Sequence, residues 1–271
     1  MVGIVKPFVL LALLLAGRAL AEDPRVTALV VTGDAEDRAQ HAAEALAAFQ
    51  KAEMIEPKNA GVLLRIAKQF SDLGAAAKAA DAAQGLGEKA LDYARRAVDL
   101  DGKNAKAHLE LAVCYGRLTD FAAHKTKLEY SRRMRAAVQR SLELDATDDF
   151  AWHVLGRWHG GVANVSVVMK ALARLVYDGL PEASNDEAVR AFKKAIELAP
   201  QRIIHHAELA KVYAAMGRTE LAAQEWQNVL GLKALDGGDE NYQRAAKLAV
   251  EAQRPGRGFG ARMLSAGRSG R

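Results

Sequence analysis

The chain has 271 residues, half of them apolar but only 6% aromatic, and a formal net charge of +5. That length allows one or two domains with a real core, while a single cysteine, Cys114, excludes an intramolecular disulfide framework. Ala and Leu dominate the apolar set, a balance that favours helix over sheet because both lose little rotamer freedom in a helix.

The opening segment, MVGIVKPFVLLALLLAGRALA, carries Lys6, an apolar run from Pro7 to Ala16 and a small-x-small end at Ala19, Leu20 and Ala21. This layout predicts a secretory signal peptide, residues 1–21, cleaved after Ala21, and hence a periplasmic or secreted protein. The apolar run, about ten residues, is short for a hydrocarbon core of about 30 Å; an uncleaved anchor is the alternative. Residues 22–36 read as an N-terminal linker and 37–252 as the folded body. The tail, 253–271, is rich in Gly and Arg without periodicity and is expected to be disordered. Two of the 38 basic residues lie in the signal and five in the tail, which leaves 31 against 33 acids in the body. The positive charge therefore belongs to the chain's ends.

Within the body, AAFQKAEMIEP (residues 47–57) returns as RAFKKAIELAP (190–200). Ala45, Phe49, Ala52 and Pro57 coincide with Ala188, Phe192, Ala195 and Pro200. Weaker copies follow the same spacing at Ala90, Ala94, Ala97 and Gly102, then at Met134, Val138, Ser141 and Ala146, and partially at Ala222, Trp226 and Val229. Small residues seven apart with a bulky one between them share a helix face and let a neighbouring helix approach closely. After each copy comes a second face of large, large, small and aromatic residues. These are Leu63, Ile66, Ala67, Phe70; His108, Leu111, Ala112, Tyr115; Trp152, Leu155, Gly156, His159; and His206, Leu209, Ala210, Tyr213. Together they match the tetratricopeptide layout, in which helical hairpins stack because none can bury its apolar face alone. The predicted fold is all-α, a tetratricopeptide-like solenoid of helical hairpins with long inter-helix insertions.

The insertions show in the spacing, since Pro57, Gly102, Ala146 and Pro200 are 45, 44 and 54 apart, against a usual period of about 34. SDLGAAAKAADAAQGLGEK, TDFAAHKTKLEYSRR and VANVSVVMKALARLVYDGLPEASND are helical in composition, so extended or extra helices are expected. The third is expected to end at Gly179. The last hairpin, Ile203 to Leu230 with its turn at Gly217, is compact, and NYQRAAKLAVEA reads as a closing helix.

The order of these pieces resembles the regulator of microtubule dynamics proteins. VLLRIAKQFSDL, ALDYARRAVDLDGKNAKAHLELAVCYGRL, LGRWHGGVANVS, NDEAVRAFKKAIELAP and LAKVYAAMGRTELAAQEW carry the likeness, which covers about residues 40–252. Its most specific piece is Leu155 to Trp158 followed by Val162, Ala163 and a helical insertion. The resemblance implies an all-helical, non-enzymatic adaptor domain whose eukaryotic members are associated with microtubules and membranes.

In such a solenoid the first helix of each hairpin lines the concave side. The residue after its small position faces the groove: Lys68, Val113, Arg157 and Lys211, with Lys106 and His153 on neighbouring positions. A basic stripe of this kind favours an anionic partner segment, such as a C-terminal carboxylate, an acidic peptide or a lipid phosphate, and Arg157 suits bidentate capture. The alternative is that these cations are solvated or paired with acids across the groove. Val165, Val168, Met169, Leu172, Leu175 and Val176 form an apolar stripe on the third insertion, expected to pack over the solenoid and complete its core. It could instead cover an apolar cavity for an acyl chain or lie on a membrane. The helix HKTKLEYSRRMRAAVQR shows many cations around one packed side of Leu128, Tyr130, Met134 and Val138.

No metal site or cofactor is expected. His205 and His206 are adjacent, so they point to different faces, and His153 and His159 are six apart rather than four. No nucleophile elbow or phosphate-binding loop is present, and Cys114 reads as a buried thiol. Nucleic acid is not expected as a partner, the single RPGRGFGAR segment being weak evidence for it. Two functions follow: a non-enzymatic scaffold gripping an anionic protein or peptide in its groove, or a carrier of an anionic amphiphile using the groove cations and the apolar 162–180 insertion.

Overall fold

A computed structural model of the chain describes residues 23–177, 179–235 and 237–252. The signal segment with its cleavage point and the tail 253–271 lie outside the described residues. Those residues form twelve helices and no strand. Ten of them make five hairpins: α1 (Pro24–Arg38) with α2 (Ala42–Ile55), α3 (Ala60–Ala76) with α4 (Ala80–Leu100), α5 (Ala105–Leu118) with α6 (His124–Leu144), α7 (Asp149–Ala163) with α9 (Asn185–Leu198), and α10 (Ile203–Ala215) with α11 (Thr219–Gly231). α8 (Val167–Tyr177) is inserted in the fourth hairpin, and α12 (Asp239–Ala252) closes the row against α10 and α11.

The repeated positions are the ones that fold. Ala45, Phe49 and Ala52, their counterparts Ala188, Phe192 and Ala195, and the triplet Ala90, Ala94 and Ala97 are all fully buried. Ile66, Ala67, Ala112, Leu209 and Ala210 on the partner helices are buried against them. The first helices of the second, third and fourth hairpins also carry their own start signals. Asn59, Asn104 and Asp148 accept backbone N–H groups in the first turns of α3, α5 and α7, which satisfies donors that a helix start leaves open.

Successive first helices also touch one another, α3 with α5, α5 with α7 and α7 with α10. No pair of second helices packs comparably among the described residues, so the row curves with the first helices inside. The curvature is strong enough that the two ends meet: the Gln40 side chain packs against Gly237 in the loop before α12.

The insertions are helical, as composition implies. The first two lengthen hairpins: α4 and α6 each run 21 residues. The third becomes a separate helix, α8, followed by Gly179 at φ +89° with its N–H on the Ala173 carbonyl at 2.9 Å. Gly217 turns the compact last hairpin at φ +71°; both values favour a residue without Cβ.

Residues 22–36 are not a linker. From Pro24 onward they form α1, the first helix of the first hairpin, starting on the Asp23 side chain with Pro24 in its first turn. The tetratricopeptide face is hard to see there because a terminal helix needs to bury only one side, and only Val26 and Gly33 of α1 are buried. Gly33 stands where the other first helices place their small residue, directly under the Phe49 ring.

Candidate functional site

The inner side of the row is charged at both ends and apolar in the middle. In the N-terminal half its cations are occupied. Arg65 grips Asp34 through two hydrogen bonds, 2.7 Å from Nε to Oδ1 and 3.0 Å from a terminal nitrogen to Oδ2. Lys68 lies 2.6 Å from Asp37 and 2.9 Å from Asp72. Partial burial works against the Lys68 cation, and these two carboxylates more than offset it, so its pKa is raised. Lys211 at the other end pairs with Glu208 at 2.6 Å and sits 5.1 Å from the centre of the Tyr242 ring. Lys106 is exposed in the first turn of α5 and is not among the residues lining the cavity described below. The stripe of free groove cations expected from the sequence is therefore not formed: Lys68 is paired with Asp37 of α1 and with Asp72 of its own helix, and Lys211 with Glu208 of its own helix.

Arg157 behaves differently. It is exposed at the middle of α7 and makes no ion pair among the described residues. It borders an open cavity of about 650 Å³ lined mainly by α5, α6, α7 and α8, within the range of about 300–1,000 Å³ usual for small-molecule sites. The apolar wall comes from Val113, Leu128, Met134, Phe150, Val154 and Trp158 on one side and from Val162, Val165, Met169, Ala173 and Leu180 on the other. Arg117, Asp120, His124, Lys127 and Arg157 supply the charged or titratable groups. Arg117 is already paired with Asp72 at 3.7 Å, and the other groups that can carry positive charge still outnumber Asp120, so the rim favours an anion.

Trp158 is held in the wall by its indole N–H, which donates to the Ser131 carbonyl at 2.8 Å, and by the Arg135 guanidinium 5.0 Å from its ring centre. α8 covers the opposite side. Val165, Met169 and Ala173 face the cavity, whereas Val167, Val168 and Leu175 are exposed. The expected packing of Val168 and Leu175 onto the solenoid is not observed. A single helix laid across an opening turns only one face inward, and a stripe wider than that face leaves residues outside.

His153 also lines the cavity, but as part of a buried hydrogen-bonded chain rather than as a groove cation. Asp149 Oδ2 lies 2.7 Å from His205 Nε2, and His205 Nδ1 lies 3.1 Å from His153 Nδ1. Arg202 donates a second hydrogen bond to Asp149 at 2.8 Å. The His153 ring stacks on Phe150, 5.2 Å between centres, and meets Phe192 edge-on. Burial, then His205 and the positive charges of Arg157, Arg202 and Lys211, hold the pKa of His153 well below the ordinary 6.5. Burial also lowers that of His205, against the pull of Asp149. Both rings are therefore neutral near pH 7.

That fixes the tautomers. The Asp149 carboxylate accepts the proton on His205 Nε2, so His205 Nδ1 is an acceptor and His153 Nδ1 carries the donating proton. His153 Nε2 is left as a bare acceptor, buried and without a protein partner among the described residues. Sequence spacing identified His153 and Arg157 but not Asp149 and His205, which come from positions up to 56 residues apart. The adjacent His205 and His206 do point apart, since His206 bonds to Glu225 at 2.7 Å and to the Pro200 carbonyl at 3.1 Å.

A family model described as Regulator of microtubule dynamics protein 1-3 matches residues 31–253. Among curated relatives, regulator of microtubule dynamics protein 1 of Mus musculus is 26% identical over 170 residues, covering 62% of this chain and 56% of that protein. The Caenorhabditis elegans protein 1 is 27% identical over 160 residues, 59% of this chain and 71% of that one. The Xenopus laevis protein 3 is 25% identical over 166 residues, 59% of this chain and 35% of that one. This chain thus spans about half the length of the mouse relative and about a third of the frog one. A thermophilic tetratricopeptide protein of Thermus thermophilus superposes with a TM-score of 0.62 at 16% identity, covering 83% of this chain and 99% of that one. A tetratricopeptide repeat protein of Parabacteroides merdae superposes at 0.54 and 17% identity, covering 84% and 73%. The fold is that of tetratricopeptide proteins, and the chain belongs to the regulator of microtubule dynamics protein family.

Proposed function

We propose that this chain is an exported, non-enzymatic binding protein that takes an anionic group on an apolar body into the cavity between α5 and α8. The observation that carries this reading is the position of Arg157, an exposed guanidinium without an acid partner among the described residues, at the border of an apolar cavity. Arg157 would hold the anionic group by bidentate hydrogen bonds, with Lys127 adding positive charge at the rim, while the walls of α6, α7 and α8 take the apolar portion.

Catalysis finds no support in the buried chain Asp149–His205–His153. His153 Nε2 bonds to no hydroxyl or thiol, so the arrangement has no nucleophile to activate. Export rests on the signal layout of residues 1–21, and N-terminal sequencing of the mature protein tests it by looking for a start at Glu22. An exported chain does not meet the microtubules that the relatives' names invoke, so we carry over only the fold and the binding character.

The test is extraction and mass spectrometry of the protein purified from its native host. A stoichiometric anionic amphiphile, lost in an Arg157→Glu variant of unchanged helicity, supports the reading. Empty protein from every preparation opposes it.

A second reading is a scaffold that grips an acidic peptide along the inner face, favoured by the same unpaired Arg157. It predicts saturable binding of acidic peptides with no competition from a long-chain carboxylate. Competition between the two would place both ligands in one site.

A further inference from the structure

α8 presents apolar side chains in two directions. Met169 and Ala173 line the cavity, whereas Val167, Val168 and Leu175 are 83%, 76% and 85% exposed. Val167, Ala171 and Leu175 are spaced by four residues and Val168 lies beside them, so the bare residues form one face, turned away from the cavity. No other helix packs closely on α8 among the described residues. A helix that is apolar all round is ordinarily buried all round, so this outer face suits an apolar cover. Charge narrows the choice of cover. Of the eleven residues of α8 only Lys170 and Arg174 are charged, and Arg174 stands exposed at the edge of the bare face. On the other rim of the cavity, the turn from α5 into α6 carries the exposed Phe121 with His124, Lys125 and Lys127, against Asp120 as the one acid between positions 119 and 128. The open cavity is thus flanked on both sides by exposed apolar side chains and cations.

We infer that the outer face of α8 is a docking surface for an anionic lipid bilayer: Val167, Val168 and Leu175 enter the acyl boundary while Arg174 and Lys127 reach lipid phosphates. The inference rests on the cavity being an amphiphile site, as proposed above, and adds where the amphiphile comes from. Each methylene of a chain favours a bilayer over water by roughly fourfold, so a long-chain amphiphile resides in membranes rather than free in solution. A helix with one apolar side on the bilayer and the other on the cavity gives the chain a route between the two that avoids water. The cations on both rims hold that mouth against a negatively charged surface, and salt weakens the hold.

The experiment is flotation of the full mature chain with vesicles of phosphatidylcholine alone and of phosphatidylcholine with one third phosphatidylglycerol. Binding to the anionic vesicles is expected to be tighter by about tenfold or more. A triple variant, Val167→Ser with Val168→Ser and Leu175→Ser, is expected to lose at least about tenfold of that binding, while isothermal titration with dodecanoate in solution is unchanged. A bimane label on Val168→Cys, with the buried Cys114 left unmodified, supplies a readout that does not depend on the triple variant. Its emission shifts to the blue on anionic vesicles, and that of the same label on Met54→Cys of α2 does not. Equal flotation of the triple variant and the wild type overturns the docking face, as does flotation of neither. If dodecanoate still binds, the cavity reading survives that result. Flotation lost in the triple variant, in a protein whose wild type takes up no dodecanoate, keeps the docking face and overturns the cavity reading. A wild type that ignores vesicles and dimerises in sedimentation through these residues assigns the face to a second copy and overturns the proposal.

Discussion

Gly156 of α7 lies so close to the Phe192 ring of α9 that a Cβ built on it would stand 2.9 Å from the ring's Cζ. Gly33 of α1 stands in the same relation to Phe49, closer still. Both aromatic rings are fully buried, so neither can swing aside. Replacing either glycine by alanine forces the hairpin apart, and overpacking of this kind typically costs about 1–3 kcal/mol. Gly85, inside α4 with nothing near its missing Cβ, is the control: Gly85→Ala should stabilise by up to about 1 kcal/mol through helix propensity alone. Urea midpoints at unchanged m-value measure all three, and equal signs for Gly33→Ala and Gly85→Ala would falsify the close-packing argument.

The buried pair His153 and His205 makes stability sensitive to acid. Both pKa values are depressed in the folded chain. Their contribution is therefore present above the unfolded value of about 6.5 and is lost as pH falls towards the folded values, because only the unfolded chain takes up the protons. The urea midpoint should decline between pH 7 and pH 5. His153→Phe should flatten part of that decline, and an unaltered slope counts against a neutral His153.

His206 acts in the opposite sense. Burial disfavours its cation, but the Glu225 carboxylate and the Pro200 carbonyl outweigh that penalty and raise the pKa above 6.5. Its stabilisation is present below 6.5 and disappears as pH rises through the folded value. His206→Gln should thus be most damaging in mild acid and least damaging at pH 8, a trend readable from midpoints taken across that range.

Lys68 tests the occupied half of the inner face. Its pairs with Asp37 and Asp72 are partly exposed, and such pairs contribute below about 1 kcal/mol. Lys68→Met should lower stability by no more than that and leave amphiphile binding unchanged, whereas Arg157→Met should weaken binding and hardly affect the urea midpoint. A loss of binding in the Lys68 variant equal to that of the Arg157 variant would restore a continuous groove site.

Cys114 is buried, and its pKa is pushed up first by burial and then by the nearby Glu110 carboxylate. Since the thiolate is the reactive form, Ellman's reagent should modify Cys114 only as fast as the chain unfolds. Rapid modification in native buffer would contradict this burial.

The sequence by itself determined four of the five hairpins, and of the first only its second helix. Phe49 and Phe192, the alanines around them and the faces headed by Leu63 and Leu209 repeat because each helix must present the same edge to its neighbour, and that requirement acts over seven or eight residues. It also located His153 and Arg157 on one face of α7. Only the tertiary structure decided what those residues meet. The acids that neutralise Lys68 include Asp37, 31 positions away on α1, and the hydrogen-bonded chain that ends on His153 runs from Asp149 in the first turn of α7 through His205 of α10. Helical period fixes which way a side chain points along its own helix. Which charge, ring or empty volume it faces depends on how far five hairpins curve, and that is set by the sum of many close contacts such as Gly156 on Phe192.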